Sequence, residues 1–340
     1  MRHLLSTAVN FIPFVPYDYA GESVACDLCG DLGRLTVCRH DRRLKPLMSV
    51  ACTTCGLVRT DPMPSDAELA SYYAHGYRFD YQFSGKTPPK FHRVRAAREA
   101  MQRLAWLAPV MKPGGSLLDF GSGSGEFLAA AQAAGQRVLG LEPGRDYAAH
   151  ARSSHHVDVI DAGWQEVDLP GGAFDLISAH HVLEHLRQPV EALCKLATWL
   201  KPDGVLYVSV PNVLAGNRAT FERLHFAHVH NFTPQTLLWA GLIAGLEPDP
   251  RLTPESTTIA FRKRAGGPVR PDFPQGAGQA MVDALSGPGP WRQLLGGGFI
   301  VKAVRRWHKA ARDSFAAAPA SAAPARRGHR SSSRGSLASS

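Results

Sequence analysis

Four of the six cysteines stand in two close pairs, Cys26-x2-Cys29 and Cys52-x2-Cys55, separated by 22 residues. A glycine follows each pair, Gly30 and Gly56, and lets the backbone turn its amides toward sulfur. Four thiolates set tetrahedrally select zinc over harder ions. A four-cysteine set leaves no open coordination position, so the expected metal is structural. Cys38 and His40 lie between the pairs as substitute ligands, but the two matched pairs are the simpler set. Cys194 falls in an amphipathic helical stretch and is expected to be a small core residue. Close cysteine pairs suit metal ligation in a reducing compartment better than a disulfide framework, which points to the cytoplasm.

A second centre of chemistry is the run "LLDFGSGSGEF". It places Asp119 at the end of an apolar strand and Gly121, Gly123 and Gly125 in the turn that opens a helix. Glycines permit such a turn and let the backbone approach a ligand closely. The next strand ends in Glu142, 21 residues after Gly121, where a carboxylate can accept both ribose hydroxyls. A dinucleotide fingerprint needs G-x-G-x-x-G closing on a pyrophosphate. Here the glycines are followed by Glu126. Negative charge at a helix N-terminus disfavours a pyrophosphate. It tolerates a ligand bearing an ammonium and a sulfonium, which leans toward S-adenosylmethionine.

The third centre is "HHVLEH" after the fourth strand of the series. His181 is the candidate general base, since imidazole suits proton removal near neutral pH. Being one wall of the pocket is its plain alternative role. His180 is expected to pack beneath the cofactor and His185 to be a hydrogen-bonded supporting residue. His181-x-x-Glu184-His185 also spells the inverted zinc-peptidase pattern, but that pattern needs a long helix, whereas this one straddles a strand end. Further on, "RLHFAHVHNFTPQTL" adds His225, His228 and His230. His228 and His230 are candidates to overhang the substrate and share the base role. With His181 they could gather a second metal, yet no carboxylate dedicated to them is legible. Tyr72, Tyr73 and Tyr77 are candidates to fold over the cofactor.

These groups require a particular framework. From Ser116 short apolar strands alternate with helices: "SLLDFG", "RVLGLEP", "VDVIDA", "FDLISAHH" and "VLYVSVPN" are strands, and "TTIAFRKR" is a last one. The series predicts an α/β fold, a Rossmann-like mostly parallel sheet with helices on both faces, preceded by a small zinc-binding segment. Ligands sit beyond the carboxyl ends of such strands. Ser65 or Asp66 begins a helix with Glu68 in its first turn. Residues 90–109 read as one helix with an apolar stripe of Val94, Ala97, Met101, Leu104 and Leu107. The expected organisation is a zinc-binding segment at 1–64 and a helical cap and lead-in helix at 65–115. A cofactor-binding domain at 116–264 and a Gly/Pro-rich linker at 265–290 follow, then a basic amphipathic helix at 291–315 and a disordered tail at 316–340.

Across roughly 90–262, "LLDFGSGSGEFL", "VLGLEP", "FDLISAHHVLEHLRQPVEAL" and "LKPDGVLYVSVPN" closely resemble the class I S-adenosylmethionine-dependent methyltransferases. The resemblance implies that Asp119, Gly121, Gly123 and Gly125 hold the methionine portion of the cofactor and that Glu142 binds the ribose. Asp161, after the third strand, falls where adenine is contacted, with Trp164 as a neighbour. The commoner Asp-Ala-Glu run is replaced here by "DAGWQEVDLP". "CTTCGLVRTDPMPSDAELASYYAHGY" is similar to the zinc segment of a subgroup that includes sugar C-methyltransferases and polysaccharide-tailoring enzymes. The sugar C-methyltransferases carry a further C-terminal domain for which this chain has no matching length after residue 262. The implied activity is methyl transfer to a small molecule, a sugar, or a glycolipid or polysaccharide precursor. An RNA methyltransferase and a non-catalytic binding module with a vestigial fold are the alternatives.

The charge of +9 is uneven. Residues 261–340 hold 14 Lys+Arg against 3 Asp+Glu, a net of +11, which leaves 9 − 11 = −2 for residues 1–260. Basic and acidic residues are mixed in the cysteine segment, and no recognition element accompanies the basic tail, which argues against nucleic acid as partner. In 291–315 Ile300, Val304, Trp307, Ala311 and Phe315 form one stripe with basic residues mostly away from it. Such a helix fits peripheral contact with the inner face of a membrane, or packing on the catalytic domain. The N-terminus lacks an apolar core followed by a cleavage site, so no signal peptide is read there.

Overall fold

The computed structural model describes residues 14–73, 88–216 and 218–287. The cysteine segment forms β1 (Arg34–His40), β2 (Pro46–Cys52) and β3 (Val58–Thr60), paired antiparallel in that order. Helix α1 (Asp66–Tyr72) follows. Ser65 caps it, and the Ser65 hydroxyl and the Glu68 carboxylate satisfy each other's backbone amides. Helix α2 (Lys90–Leu107) leads into the second sheet.

That sheet alternates with helices: β4 (Ser116–Phe120), α3 (Glu126–Ala133), β5 (Arg137–Leu141), α4 (Arg145–His155) and β6 (Val159–Ile160). Then come β7 (Phe174–His180), α5 (Pro189–Trp199) and β8 (Leu200–Ser209). The two-residue strand β9 (His230–Asn231) precedes α6 (Pro234–Ile243), β10 (Leu246–Pro248), β11 (Thr258–Lys263) and α7 (Ala277–Leu285). The strand order is β10-β11-β8-β7-β4-β5-β6. Strands β6, β5, β4, β7 and β8 run parallel, while β11 and β10 join antiparallel. The chain leaves β4 toward β5 and β6, then returns to the other side of β4 as β7. The crevice between β4 and β7 is therefore the topological switch point where ligands bind.

Strand periodicity explains why both faces are covered. Leu117, Leu176, Val205 and Tyr207 point into the cluster that also holds Phe127, Leu128 and Ala148. Their neighbours Leu118, Ile177, Leu206 and Val208 point into the opposite cluster with Leu193, Trp199 and Leu237. Alternation within apolar strands is what a parallel sheet buried on both sides demands.

Three expectations need correction. Met101 is exposed, because the inward face of α2 carries Ala100, Leu107 and the half-buried Arg103 instead. Cys194 faces outward from α5, whose core face is Leu193, Leu196 and Trp199. The Gly/Pro-rich stretch contains a helix, α7, since Met281, Val282 and Leu285 pack against Ala51 and Val58 of the cysteine-bearing sheet. That sheet also recruits a strand from within the run of the second sheet, as β9, which lies between β8 and β10 in the chain, pairs antiparallel with β3. The basic helix expected at 291–315, the tail at 316–340 and Tyr77 lie outside the described residues.

Candidate functional site

Cys26 and Cys29 stand in the turn before β1, Cys52 ends β2, and Cys55 lies in the turn after it. Their Sγ atoms all lie within 4.8 Å of one another. Cys26 to Cys55 is 3.5 Å and Cys29 to Cys52 is 3.4 Å. A zinc ion with bonds of about 2.3 Å sets sulfurs about 3.8 Å apart, so the cluster is already near zinc-binding size. Gly30 and Gly56 both adopt positive φ, and their amides close the knuckles onto the carbonyls of Cys26 and Cys52. Crowding splits the acidities: hydrogen bonds to Cys29 and the other cysteines push the Cys26 thiol up, while those from Cys26 and Cys55 pull Cys52 down. The donor set fits structural zinc. Cys38 bonds the His40 carbonyl instead of joining the cluster.

The knuckles are tied to the second sheet. Asp27 Oδ2 accepts the amide of Val190, at the first turn of α5, at 2.8 Å. Burial pushes the Asp27 carboxyl up to about 6. Gly278 of α7 crosses so near that a Cβ there would sit 2.6 Å from the Cys52 carbonyl oxygen.

Beyond the carboxyl end of β4 the glycine turn has φ values of +76°, +55° and +89° at Gly121, Gly123 and Gly125. A Cβ on Gly121 would lie 2.5 Å from Val182 Cγ2, whereas one on Gly123 would meet open space. Glu142 sits just past β5. Its Oε2 accepts the Gly123 amide at 2.9 Å and its Oε1 accepts the Gly144 amide at 2.8 Å. A cleft opens here. Phe120 and Gly121, Leu141 and Pro143, and Ala162 to Gln165 line one side, and Val182 with His185 to Arg187 line another. Tyr73, Leu69 and Asp66 of the α1 region close it. The glycine turn, the ribose-side carboxylate and the apolar floor fit S-adenosylmethionine.

The other expected cofactor residues differ in burial. Asp119 is buried beneath the turn, 3.1 Å from Arg103 Nη1 of α2. The same guanidinium donates to Ser178 Oγ at 2.9 Å and stacks 4.1 Å from the Phe127 ring centre. Burial pushes the Asp119 carboxyl up, and the Arg103 charge pulls against it. Asp161 is exposed and stands immediately before Ala162 to Gln165, which line the cleft. Glu126 is buried, accepts Ser124 Oγ at 2.6 Å, and is likewise pushed up by burial. Its charge bears on the turn less than its place in the sequence suggests. Of the tyrosines, Tyr73 reaches the cleft, while Tyr72 packs edge-on against Tyr17 and Phe226.

The histidines converge on one carboxylate. Glu184, in the single 3₁₀ turn Leu183–His185, is buried. Its Oε1 lies 3.3 Å from His181 Nδ1, 3.9 Å from His185 Nε2 and 3.9 Å from His228 Nε2. Its Oε2 has no hydrogen-bond partner. His181 holds φ +55° and is half exposed. His185 Nδ1 lies 2.8 Å from the Ala227 carbonyl and 2.9 Å from the Tyr73 hydroxyl, so its ring is fixed in the cleft wall. Burial pushes His185 down and pushes His225 and His228 well down. His230 is placed differently: it is buried in β9 with Nδ1 2.9 Å from the Leu186 carbonyl, and burial lowers it to about 4. His180 pairs with the Tyr207 hydroxyl at 3.2 Å beneath the site. The sequence holds the clue to Glu184 as the one acid within a run of three histidines. Arg103 had no comparable signal.

Residues 91–249 match a family model described as "Methyltransferase domain". An uncharacterized methyltransferase of Mycobacterium bovis is 29% identical over 136 residues, covering 38% of this chain and 54% of that protein. The C-methyltransferase NovU of Streptomyces niveus is 29% identical over 128 residues, 35% of this chain and 30% of that protein. The chain thus spans about half the length, or less, of these curated relatives. Among solved structures, the 1,6-didemethyltoxoflavin-N1-methyltransferase of Burkholderia thailandensis aligns with a TM-score of 0.44 at 21% identity, over 62% of this chain and 96% of that one. Among the described residues no helix is long and apolar enough to cross a membrane.

Proposed function

Because the chain carries a class I S-adenosylmethionine-dependent methyltransferase domain behind a four-cysteine site consistent with structural zinc, we propose that it transfers a methyl group to a small-molecule acceptor, and more narrowly to a sugar-containing or glycolipid precursor. The observation that carries the reading is the cleft at the switch point, lined by Gly121 of the glycine turn on one side and by Tyr73 and His185 on the other, with Glu142 bonded to the turn at Gly123 and Glu184 behind His185. S-adenosylmethionine, when bound, supplies an electrophilic methyl on a sulfonium. The chain's own residues do the rest. Gly121 and Gly123 let the backbone approach the ligand, Glu142 accepts ribose hydroxyls, and the stretch from Ala162 to Gln165 forms the adenine side. Much of the acceleration then comes from holding acceptor and methyl in line.

His181 is the base in this reading. Its Nδ1 faces Glu184 Oε1 at 3.3 Å, so the hydrogen sits on Nδ1 and the Nε2 lone pair is left to take a proton from the acceptor. His228 is screened by burial and His230 is engaged with a carbonyl, so the half-exposed His181 is the imidazole best placed to exchange protons. Polar cleft groups such as Asp66, Tyr73 and Arg187 suit a hydroxyl-rich acceptor. The test is a screen of candidate acceptors with labelled cofactor, repeated with His181→Ala. Loss of the base should reduce turnover roughly 10²–10⁴-fold with cofactor affinity nearly unchanged. Near-normal turnover by His181→Ala would remove His181 from the chemistry, and no binding of S-adenosylmethionine would overturn the reaction class.

A further inference from the structure

We propose that Glu184, His185 and His228 form a second metal site, distinct from the four cysteines, that takes a divalent first-row transition ion at the edge of the cleft. Among the described residues two groups of three or more side chains bring metal-ligating atoms together, the four cysteines and this one. The three donor atoms lie within 4.8 Å of one another. Bonds of about 2.0–2.1 Å place neighbouring ligands about 3.0–3.4 Å apart in octahedral or tetrahedral geometry. The two 3.9 Å separations from Glu184 Oε1 to the Nε2 atoms therefore need to close by only about half an ångström or a little more.

The electrostatics ask for a cation. The Ala227 carbonyl can only accept, so His185 carries a hydrogen on Nδ1, and Nε2 is the ring atom turned toward the carboxylate, 3.9 Å from Oε1. A buried carboxylate ringed by imidazole nitrogens is stabilised by a positive charge set among them. Among the described residues the ion-pair partners of Glu184 are three imidazoles, His181, His185 and His228, and its Oε2 has no hydrogen-bond partner. The bond from His185 Nδ1 to a backbone carbonyl is the outer support that metal-bound histidines characteristically have. Two imidazoles and one carboxylate are borderline donors, suited to zinc, cobalt or iron(II) and poor for magnesium or calcium. Three protein ligands leave positions open, unlike the closed cysteine set. His185 lines the cleft, so the site stands in the cleft wall. If the chain methylates a hydroxyl-bearing acceptor, an open position would hold an acceptor oxygen. This role rests on the proposed function, whereas the metal site does not.

The competing account is a single proton shared between Glu184 and an imidazole. Co2+ titration of the full chain with its cysteine site filled by zinc separates the two. A second equivalent of metal should bind and give visible d–d bands without thiolate-to-cobalt charge transfer. Glu184→Gln and His228→Gln should each weaken that binding at least about tenfold while the cysteine-bound zinc remains. The wild-type arm decides the matter without either variant. Absence of cobalt absorption in protein that still binds S-adenosylmethionine overturns the metal site and leaves the methyl-transfer reading intact. Cobalt binding in protein that ignores S-adenosylmethionine does the reverse. Charge-transfer absorption would show that the metal sits on the cysteines and would also overturn the proposal.

Discussion

Replacing Arg103 by methionine should expose what Asp119 does. The side chains of this pair are only 10% and 4% exposed, and their charged atoms are 3.1 Å apart. At an effective dielectric of about 20 the Coulomb attraction at that distance is about 5 kcal/mol. Much of it offsets desolvation, but removing one partner leaves the other charge buried, which costs about 3–5 kcal/mol. The substitution also deletes the bond to Ser178 and the stacking on Phe127. Methionine keeps much of the stem volume, so the loss reports charge more than cavity.

The pH dependence gives the reasoning a sign. Burial already raises Asp119 in the folded state. Without Arg103 only the hydrogen bond from Ser178 opposes that rise, so the folded value climbs further above the ordinary value of about 3.9. A carboxyl whose folded value is raised destabilises the fold as pH increases from the unfolded value up to the folded one. The deficit of Arg103→Met should therefore be larger at pH ~8 than at pH ~5, growing by up to about 1.4 kcal/mol per unit between the folded value of the intact protein and the higher one of the variant. Urea unfolding at both pH values measures it. Adding Asp119→Asn should recover part of the loss, since the uncompensated charge is then gone. A deficit below about 1 kcal/mol, or one equal at the two pH values, would refute the buried pair as described.

Glu142→Ala removes an acceptor of two backbone amides beside the ribose position, and S-adenosylmethionine affinity by calorimetry should fall by about 1.5–3 kcal/mol, roughly 10–150-fold. Asp119→Asn should weaken the same binding less, because that carboxyl lies under the turn; equal losses would place it at the ligand. Gly121→Ala should cost stability through its positive φ, about 1–2 kcal/mol, plus the clash with Val182, and should cost more than Gly123→Ala, whose Cβ enters open space. Cys52→Ser should abolish stoichiometric zinc by elemental analysis and lower the unfolding temperature; full zinc content in that variant would sink the four-cysteine site.

The parts legible in the sequence are those whose signal is local. Two cysteine pairs, a strand–glycine turn–helix and a run of apolar strands each sit within a few tens of residues. What stayed hidden depends on distant contacts. Arg103 reads as a polar position on an amphipathic helix, and its burial becomes visible only when β4 supplies Asp119 and β7 supplies Ser178. Asp119 followed the family pattern at its position, yet this chain's own arginine engages it. Glu184 looked like part of a turn because the imidazole that completes its surroundings, His228, stands 44 positions further along the chain. The strand β9 is two residues long, too short for any periodicity to show.

That short strand gives a structural metal at the four cysteines a part to play in this fold. A two-residue pairing contributes little by itself, and the antiparallel sheet that receives it is small. Zinc at a four-cysteine site supplies folding energy directly and would hold β2 and the β3 turn in place. β3 then fixes β9, and β9 fixes the loop before it, which carries His225 and His228. Two bonds fasten that loop to the turn after β7: His230 Nδ1 to the Leu186 carbonyl and His185 Nδ1 to the Ala227 carbonyl. The glycine turn has no such dependence, since its amides at Gly121 and Ser122 bond the Leu141 carbonyl of the neighbouring parallel strand. Disturbing the zinc should therefore loosen the acceptor side of the cleft before the cofactor side, raising the acceptor KM while S-adenosylmethionine affinity changes little.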